Sequence, residues 1–234
     1  ILKAHRKFLI TEQICAHSQL KENGQKNLRQ NSKNKRFIYL ISPNKIKNEK
    51  FYTTLRQVLS SKKVSFFQLR LKKESFKNKI YIGKKIKKIC KKYQVKFLIN
   101  DDPVIAKKIN ADGCHLGQKD MKIYNARKLL KNKIIGVTCH NSLNLAKRAV
   151  KEGANYLAFG AFYSSKTKKT KYKASLKILG LAKKLTNIPF VAIGGIKDTN
   201  YKKLLLNKAN FLAISGYIWN NKKLNPKEAI NKLI

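Results

Sequence analysis

Residues 96–120 read KFLINDDPVIAKKINADGCHLGQKD. Two short apolar runs, KFLIN (96–100) and GCHLG (113–117), flank a segment whose Asp-Pro step at 102–103 has the form of a helix start. Strand, helix and strand in so few residues make a β–α–β unit. The same stretch holds Asp101, Asp102, Asp112 and Asp120, four of the 11 acidic residues in a chain with 54 basic ones.

Outward from this unit the alternation repeats. Further apolar runs are RFIYLIS (36–42), SFFQLRL (65–71), IIGVTCH (134–140), YLAFGAF (156–162), FVAIGGI (190–196) and FLAISGYIW (211–219). Most are almost continuously apolar, as strands buried on both faces are. Amphipathic segments lie between them. Residues 77–93 place Ile82, Ile86 and Ile89 on one side and lysines on the other, and 143–154 and 175–185 repeat the pattern. Eight such units in about 200 residues predict a (β/α)8 TIM barrel over 36–234, with a doubly wound open sheet as the alternative. Residues 1–35 are polar and read as an N-terminal extension, a short helix followed by a flexible or disordered linker.

The formal net charge of +43 suggests a polyanion partner. Against this, only seven of the basic residues are arginine, the usual choice for base and bidentate phosphate contacts, and the lysines are spread over every segment. Lys, Asn and Ile share A/T-rich codons, so codon bias accounts for the excess, and no specific nucleic-acid partner is expected. No run approaches 18 apolar residues, so no membrane span is expected. The basic start lacks a long apolar core, so no signal peptide is expected either. Cys15, Cys90, Cys114 and Cys139 show no metal-binding spacing. The last three lie in apolar segments and read as reduced core residues, which suits a cytoplasmic protein. The sequence sets no oligomeric state.

Barrel enzymes build their sites at the C-terminal ends of the strands. Asp101 directly follows the third strand and Asp120 closely follows the fourth, so both carboxylates arrive at one rim and suit Mg2+. The alternative for Asp101 is a cap on the helix that begins at Pro103. Asp112 precedes the fourth strand and belongs at the opposite, stability face; Asp102 is adjacent to the site but points elsewhere. Gln68, Arg70 and Lys72 alternate along the second strand and share a face. Its two cations there need an anion, either a ligand or a carboxylate of Glu74 or the barrel. Gly194-Gly195 and Ser215 end the seventh and eighth strands, the recurrent phosphate corner of such barrels. The long connection 163–174 adds Ser165, Thr167 and Lys168. His115 and His140 read as core or rim residues.

These stretches, in order QLRLK, LIND, ADGCHLGQKDM, IGVTCHN, AKRAVKEGANYLAFGAFYSSKTK, IPFVAIGGI and LAISGYI, resemble the thiamine-phosphate synthase family over about residues 36–234. The superfamily also contains a thiazole tautomerase. The resemblance implies a transferase that joins 4-amino-5-hydroxymethyl-2-methylpyrimidine diphosphate to a thiazole phosphate, giving thiamine phosphate and pyrophosphate. It implies that Gln68, Arg70, Lys72, Asn100, Thr138 and Lys168 bind the pyrimidine diphosphate. It also implies that Asp101 and Asp120 hold Mg2+, and that Ser165, Thr167, Gly195, Ile214 and Ser215 seat the thiazole phosphate. Arg70, Lys72 and Lys168 would stabilise the leaving group as the C–O bond breaks to a pyrimidine-stabilised cation, which the thiazole nitrogen captures. Two departures stand out: Asp102 replaces a family arginine, and SSKTK (164–168) replaces Pro-Thr-x-Thr-Lys. A metal-free tautomerase would not need the paired aspartates or the QLRLK cations. A basic nucleic-acid-binding barrel would need arginine-rich clusters that are absent here.

Overall fold

The computed structural model describes residues 36–165 and 171–233. The extension read over 1–35 and the residues Thr167 and Lys168 lie outside the described residues. Eight parallel strands close into a barrel in sequence order. They are β1 (Ile38–Ile41), β2 (Val64–Leu69), β3 (Lys96–Asn100), β4 (Gly113–Leu116), β5 (Ile134–His140), β6 (Tyr156–Gly160), β7 (Phe190–Ile193) and β8 (Phe211–Ile214). Closure is made by β1 against β8, with Ile38 opposite Leu212 and Leu40 opposite Ile214. The barrel reading therefore holds and the open sheet is excluded.

The apolar runs become strands because both of their faces are covered. Alternate residues point to opposite sides. Ile38, Leu40, Phe67, Phe97 and Ile99 face the layer between barrel and helices. Tyr39, Ile41, Phe66, Leu98, Tyr156, Val191 and Phe211 fill the barrel itself. The helix Phe76–Lys92 buries Ile82, Ile86, Ile89 and Cys90 as its spacing requires. Each such side chain contributes roughly 1.5–3 kcal/mol when fully buried. Ser75 and Ser142 cap their helices by accepting from Asn78 and Leu145 N–H.

Two ends differ from the pattern in the sequence. The run 211–219 does not stay extended: Gly216–Trp219 turns into a short helix, and the Trp219 indole N–H donates to the Ile41 carbonyl at 2.7 Å. The helix after β3 starts at Pro103 as expected, but its cap is Asp102, which accepts from Ile105 N–H at 2.9 Å. That contact takes Asp102 and leaves Asp101 available to the rim.

Candidate functional site

Asp101 leaves β3 in a left-handed conformation, φ 64°, with its N–H bonded to the His115 carbonyl of β4 at 2.8 Å. Asp tolerates this region better than most residues, and such backbone is concentrated at functional sites. Asp120 closes the turn after β4, accepting from Gly117 N–H at 2.6 Å. The two carboxyl groups lie close enough to shift each other's hold on a proton, in opposite directions. Burial alone would push Asp101 up, but hydrogen bonds from Lys72 and Asp120 outweigh it and hold this carboxyl below the ordinary range. Asp120 is pushed up by burial and by the neighbouring Asp101, against the Gly117 N–H that favours its charged form. A site that forces two carboxylates together is built for positive charge.

Lys72 supplies part of that charge, with its ammonium 2.9 Å from Asp101. This is the barrel-carboxylate partner weighed above as the alternative to a ligand. About half of the Lys72 side chain is exposed (53%). A pair so open to water is worth about 1 kcal/mol or less, and an arriving anion can take the lysine from it. Arg70 sits beside them, hydrogen-bonded to Asn44 Oδ1 at 3.0 Å. Burial lowers its hold on the proton and the charge of Asp101 restores part of it. A cavity of about 420 Å³ opens between the loops after β2 and β3, lined by Lys72, Asn100, Asp101, Asp102 and Met121 among others.

The carboxyl pair fits a hard cation such as Mg2+. Among the described residues no group of three or more His, Cys, Asp or Glu gathers at one point. An ion here would therefore rest on two protein carboxylates and complete its shell with water or substrate oxygens, the usual habit of Mg2+.

Deeper in the mouth, Gln68 is buried and donates to the Tyr39 hydroxyl at 3.0 Å. Tyr39 meets the Tyr156 hydroxyl at 2.8 Å, which meets His115 Nδ1 at 2.8 Å. His115 Nε2 lies 2.8 Å from Thr138 Oγ1. A buried hydroxyl without a partner costs ~1–3 kcal/mol, so these contacts are strongly favoured once the groups are enclosed. Gln118 donates its side-chain N–H to the Thr138 carbonyl. The residues read from the sequence as separate points, Gln68 on β2 and Thr138 on β5, are thus joined. The roles of Tyr39, Tyr156 and His115 are not read from the sequence; the available signal is a tyrosine on the inward side of a strand, whose hydroxyl must find a partner.

The far side of the rim carries the glycine corner. Gly194 (φ 110°) and Gly195 (φ 60°) use backbone that only glycine adopts freely. They are also needed for packing. A Cβ on Gly195 would lie 2.2 Å from the Ser164 carbonyl oxygen, and one on Gly194 would lie 2.4 Å from Ala161 Cβ. The loop after β6 therefore lies directly on the loop after β7. Asn200 pins that second loop, donating to the Gly195 carbonyl and accepting from Lys197 N–H, while Tyr163 reaches the Asn200 carbonyl. Ser165 belongs to the first of these loops. Ser215 donates to the Ser42 carbonyl at 3.1 Å, and the Ile214 side chain is buried outside the barrel, so Ile214 offers the rim only its backbone. His140, at φ 51°, stacks on Tyr172 with ring centroids 3.9 Å apart.

A closed (β/α)8 barrel with a carboxyl pair, cations and a glycine corner on its C-terminal rim is the architecture of a barrel enzyme acting on phosphorylated substrates. Comparison gives the particular family: residues 38–218 match the thiamine monophosphate synthase family. The chain belongs to that family and is an enzyme of it. It is 72% identical over 206 residues, 88% of this chain and 100% of the relative, to a thiamine-phosphate synthase of Pelagibacter ubique (strain HTCC1062). It is 40% identical over 179 residues (76% of this chain, 84% of the relative) to a thiamine-phosphate synthase of Nitrosomonas eutropha. A thiamine phosphate pyrophosphorylase from Pyrococcus furiosus superposes with TM-score 0.75 at 28% identity, over 86% of this chain and 94% of the other.

Proposed function

We propose that this protein condenses 4-amino-5-hydroxymethyl-2-methylpyrimidine diphosphate with a thiazole phosphate, forming thiamine phosphate and releasing pyrophosphate. Family membership supports the reading. The observation that carries it at the level of the site is the interacting carboxyl pair Asp101–Asp120 beside Lys72 and Arg70. The thiazole tautomerase of the superfamily has no use for that pair.

In this reading Gln68, Asn100 and Thr138 hold the pyrimidine, with Arg70, Lys72 and Lys168 around its diphosphate. Asp101 and Asp120 would hold Mg2+, which when bound neutralises charge on the leaving pyrophosphate. Lys72 exchanges Asp101 for a diphosphate oxygen as substrate arrives, at small cost for so exposed a pair. Arg70 and Lys72 stabilise the negative charge that grows as the C–O bond breaks. The attacking thiazole nitrogen carries a free lone pair, so no general base is needed. Ser165, Thr167, Ser215 and the backbone at Gly195 and Ile214 seat the thiazole phosphate. The buried free thiols of Cys90, Cys114 and Cys139 agree with a reducing, cytoplasmic setting. No helix among the described residues is long and apolar enough to cross a membrane.

The test is an assay of the purified protein with both substrates, with and without Mg2+. Thiamine phosphate and pyrophosphate should appear in equal amounts and only with the metal. Absence of product with both substrates and metal present refutes the reading.

A further inference from the structure

Gln68, Tyr39, Tyr156, His115 and Thr138 come from five different strands and form one continuous chain across the barrel, with links of 3.0, 2.8, 2.8 and 2.8 Å. Gln68, Tyr39 and Tyr156 are almost fully buried, at 2%, 2% and 1% exposure. With His115 neutral, the interior of the chain has no spare proton. Each tyrosine hydroxyl has one hydrogen to donate, and a neutral imidazole has one N–H and one acceptor nitrogen. Each interior member must therefore donate to one side and accept from the other; any other arrangement leaves a buried hydroxyl unbonded. The direction of all four links is consequently set together.

The two ends of the chain are coupled by this constraint. When Gln68 donates its N–H to Tyr39, its amide oxygen is the outward group, an acceptor. The same direction runs through to His115 Nε2–H and Thr138 Oγ1, leaving the threonine O–H to donate. If all links reverse, Gln68 presents N–H and Thr138 presents an acceptor. In both states one end donates and the other accepts. Gln68 Oε1 has no hydrogen-bond partner among the described residues and is not one of the fully buried orphaned atoms, so it remains available to a ligand.

We propose that Tyr39, Tyr156 and His115 are positioning residues that lock Gln68 and Thr138 into a matched donor–acceptor pair, selecting a ring edge that presents one amino donor and one ring-nitrogen acceptor. The inference rests on the aminopyrimidine reading above and deepens it. A pyrimidine that offers acceptors at both places, such as one with methoxy in place of the amino group, cannot satisfy both ends of an intact chain.

Tyr156→Phe and Tyr39→Phe each cut the chain by removing a single hydroxyl. The two halves then choose direction independently, and both ends can donate at once. Calorimetry would measure binding of the aminopyrimidine diphosphate and of its 4-methoxy analogue to wild type and both variants, with steady-state KM for the thiazole phosphate and thermal midpoints alongside. Expected are roughly 10-fold weaker binding of the amino ligand, about 1.4 kcal/mol, a fall in amino-over-methoxy selectivity of similar size, and an unchanged thiazole KM. Selectivity kept at the wild-type ratio in both variants, while wild type still makes thiamine phosphate, overturns the inference and leaves the function standing. Equal weakening of amino and methoxy ligands, or of both substrates, also overturns it, since that is mere structural damage. Wild-type protein that neither binds the aminopyrimidine diphosphate nor turns over refutes the functional reading, and this inference with it.

Discussion

Replacing Gly195 by Ala probes the corner where two rim loops touch. The new Cβ would lie 2.2 Å from the Ser164 carbonyl oxygen and 2.8 Å from Tyr163 C and Cβ, where ordinary contact begins at 3.4 Å. The loop after β6 must therefore retreat by about 1 Å, or the 194–196 turn must. Backbone at φ 60° adds about 1–2 kcal/mol for a residue with a Cβ. That strain lowers the thermal midpoint by a few degrees in a domain of this size. The functional effect should be larger, because a displacement of ~1 Å in a positioning group costs on the order of 10²-fold. Steady-state kinetics should show kcat/KM for the thiazole phosphate falling by about two orders of magnitude. Binding of the pyrimidine diphosphate on the opposite side of the mouth should stay within roughly twofold, since well-separated sites act independently. Gly180→Ala is the control: it lies on the exposed face of the helix Lys177–Leu185 with nothing within 4 Å of its Cβ. Alanine there should stabilise by about 0.5–1 kcal/mol and leave kinetics alone. Wild-type kcat/KM for the thiazole phosphate in Gly195→Ala would refute the placement of the phosphate at this corner.

Asp120→Asn keeps an oxygen for Gly117 N–H but removes a charge; thermal stability should change by less than about 1 kcal/mol while Mg2+-dependent turnover falls at least ~100-fold, and a variant with the wild-type metal requirement would exclude Asp120 as a ligand. Asp112→Ala removes the acceptor of Phe97 N–H at 2.8 Å, at the stability end of the barrel. Chemical denaturation should show a loss of about 1–2 kcal/mol with both KM values unchanged. Burial pushes the thiols of Cys114 and Cys139 up to about 12. Folded protein at pH 8 should resist iodoacetamide at both, and each should cost up to about 1.4 kcal/mol of stability per pH unit above ~8.5, where only the unfolded chain loses the proton; rapid native alkylation, or stability that rises over that range, would contradict their burial.

The sequence alone determined the barrel, because strands covered on both faces are written as apolar runs and lysine-studded helices separate them. It also determined which acids reach the rim. Chain direction fixes that Asp101 and Asp120 follow strands while Asp112 precedes one, and parallel strands send all such ends the same way. What it left open was decided by contacts between residues far apart in the chain. Asp101 and Asp102 are adjacent in sequence, yet only the turn at φ 64° sends one to the carboxyl pair and the other to a helix cap. The glycine corner is legible as GG, but the reason for it is a carbonyl from a loop some 30 residues earlier. The polar chain through Tyr39, His115 and Tyr156 is the clearest case. Strand periodicity says that each side chain points inward, and only barrel closure brings the three within hydrogen-bond reach, since side-chain contact depends on the shape the strands enclose and not on their spacing along the chain.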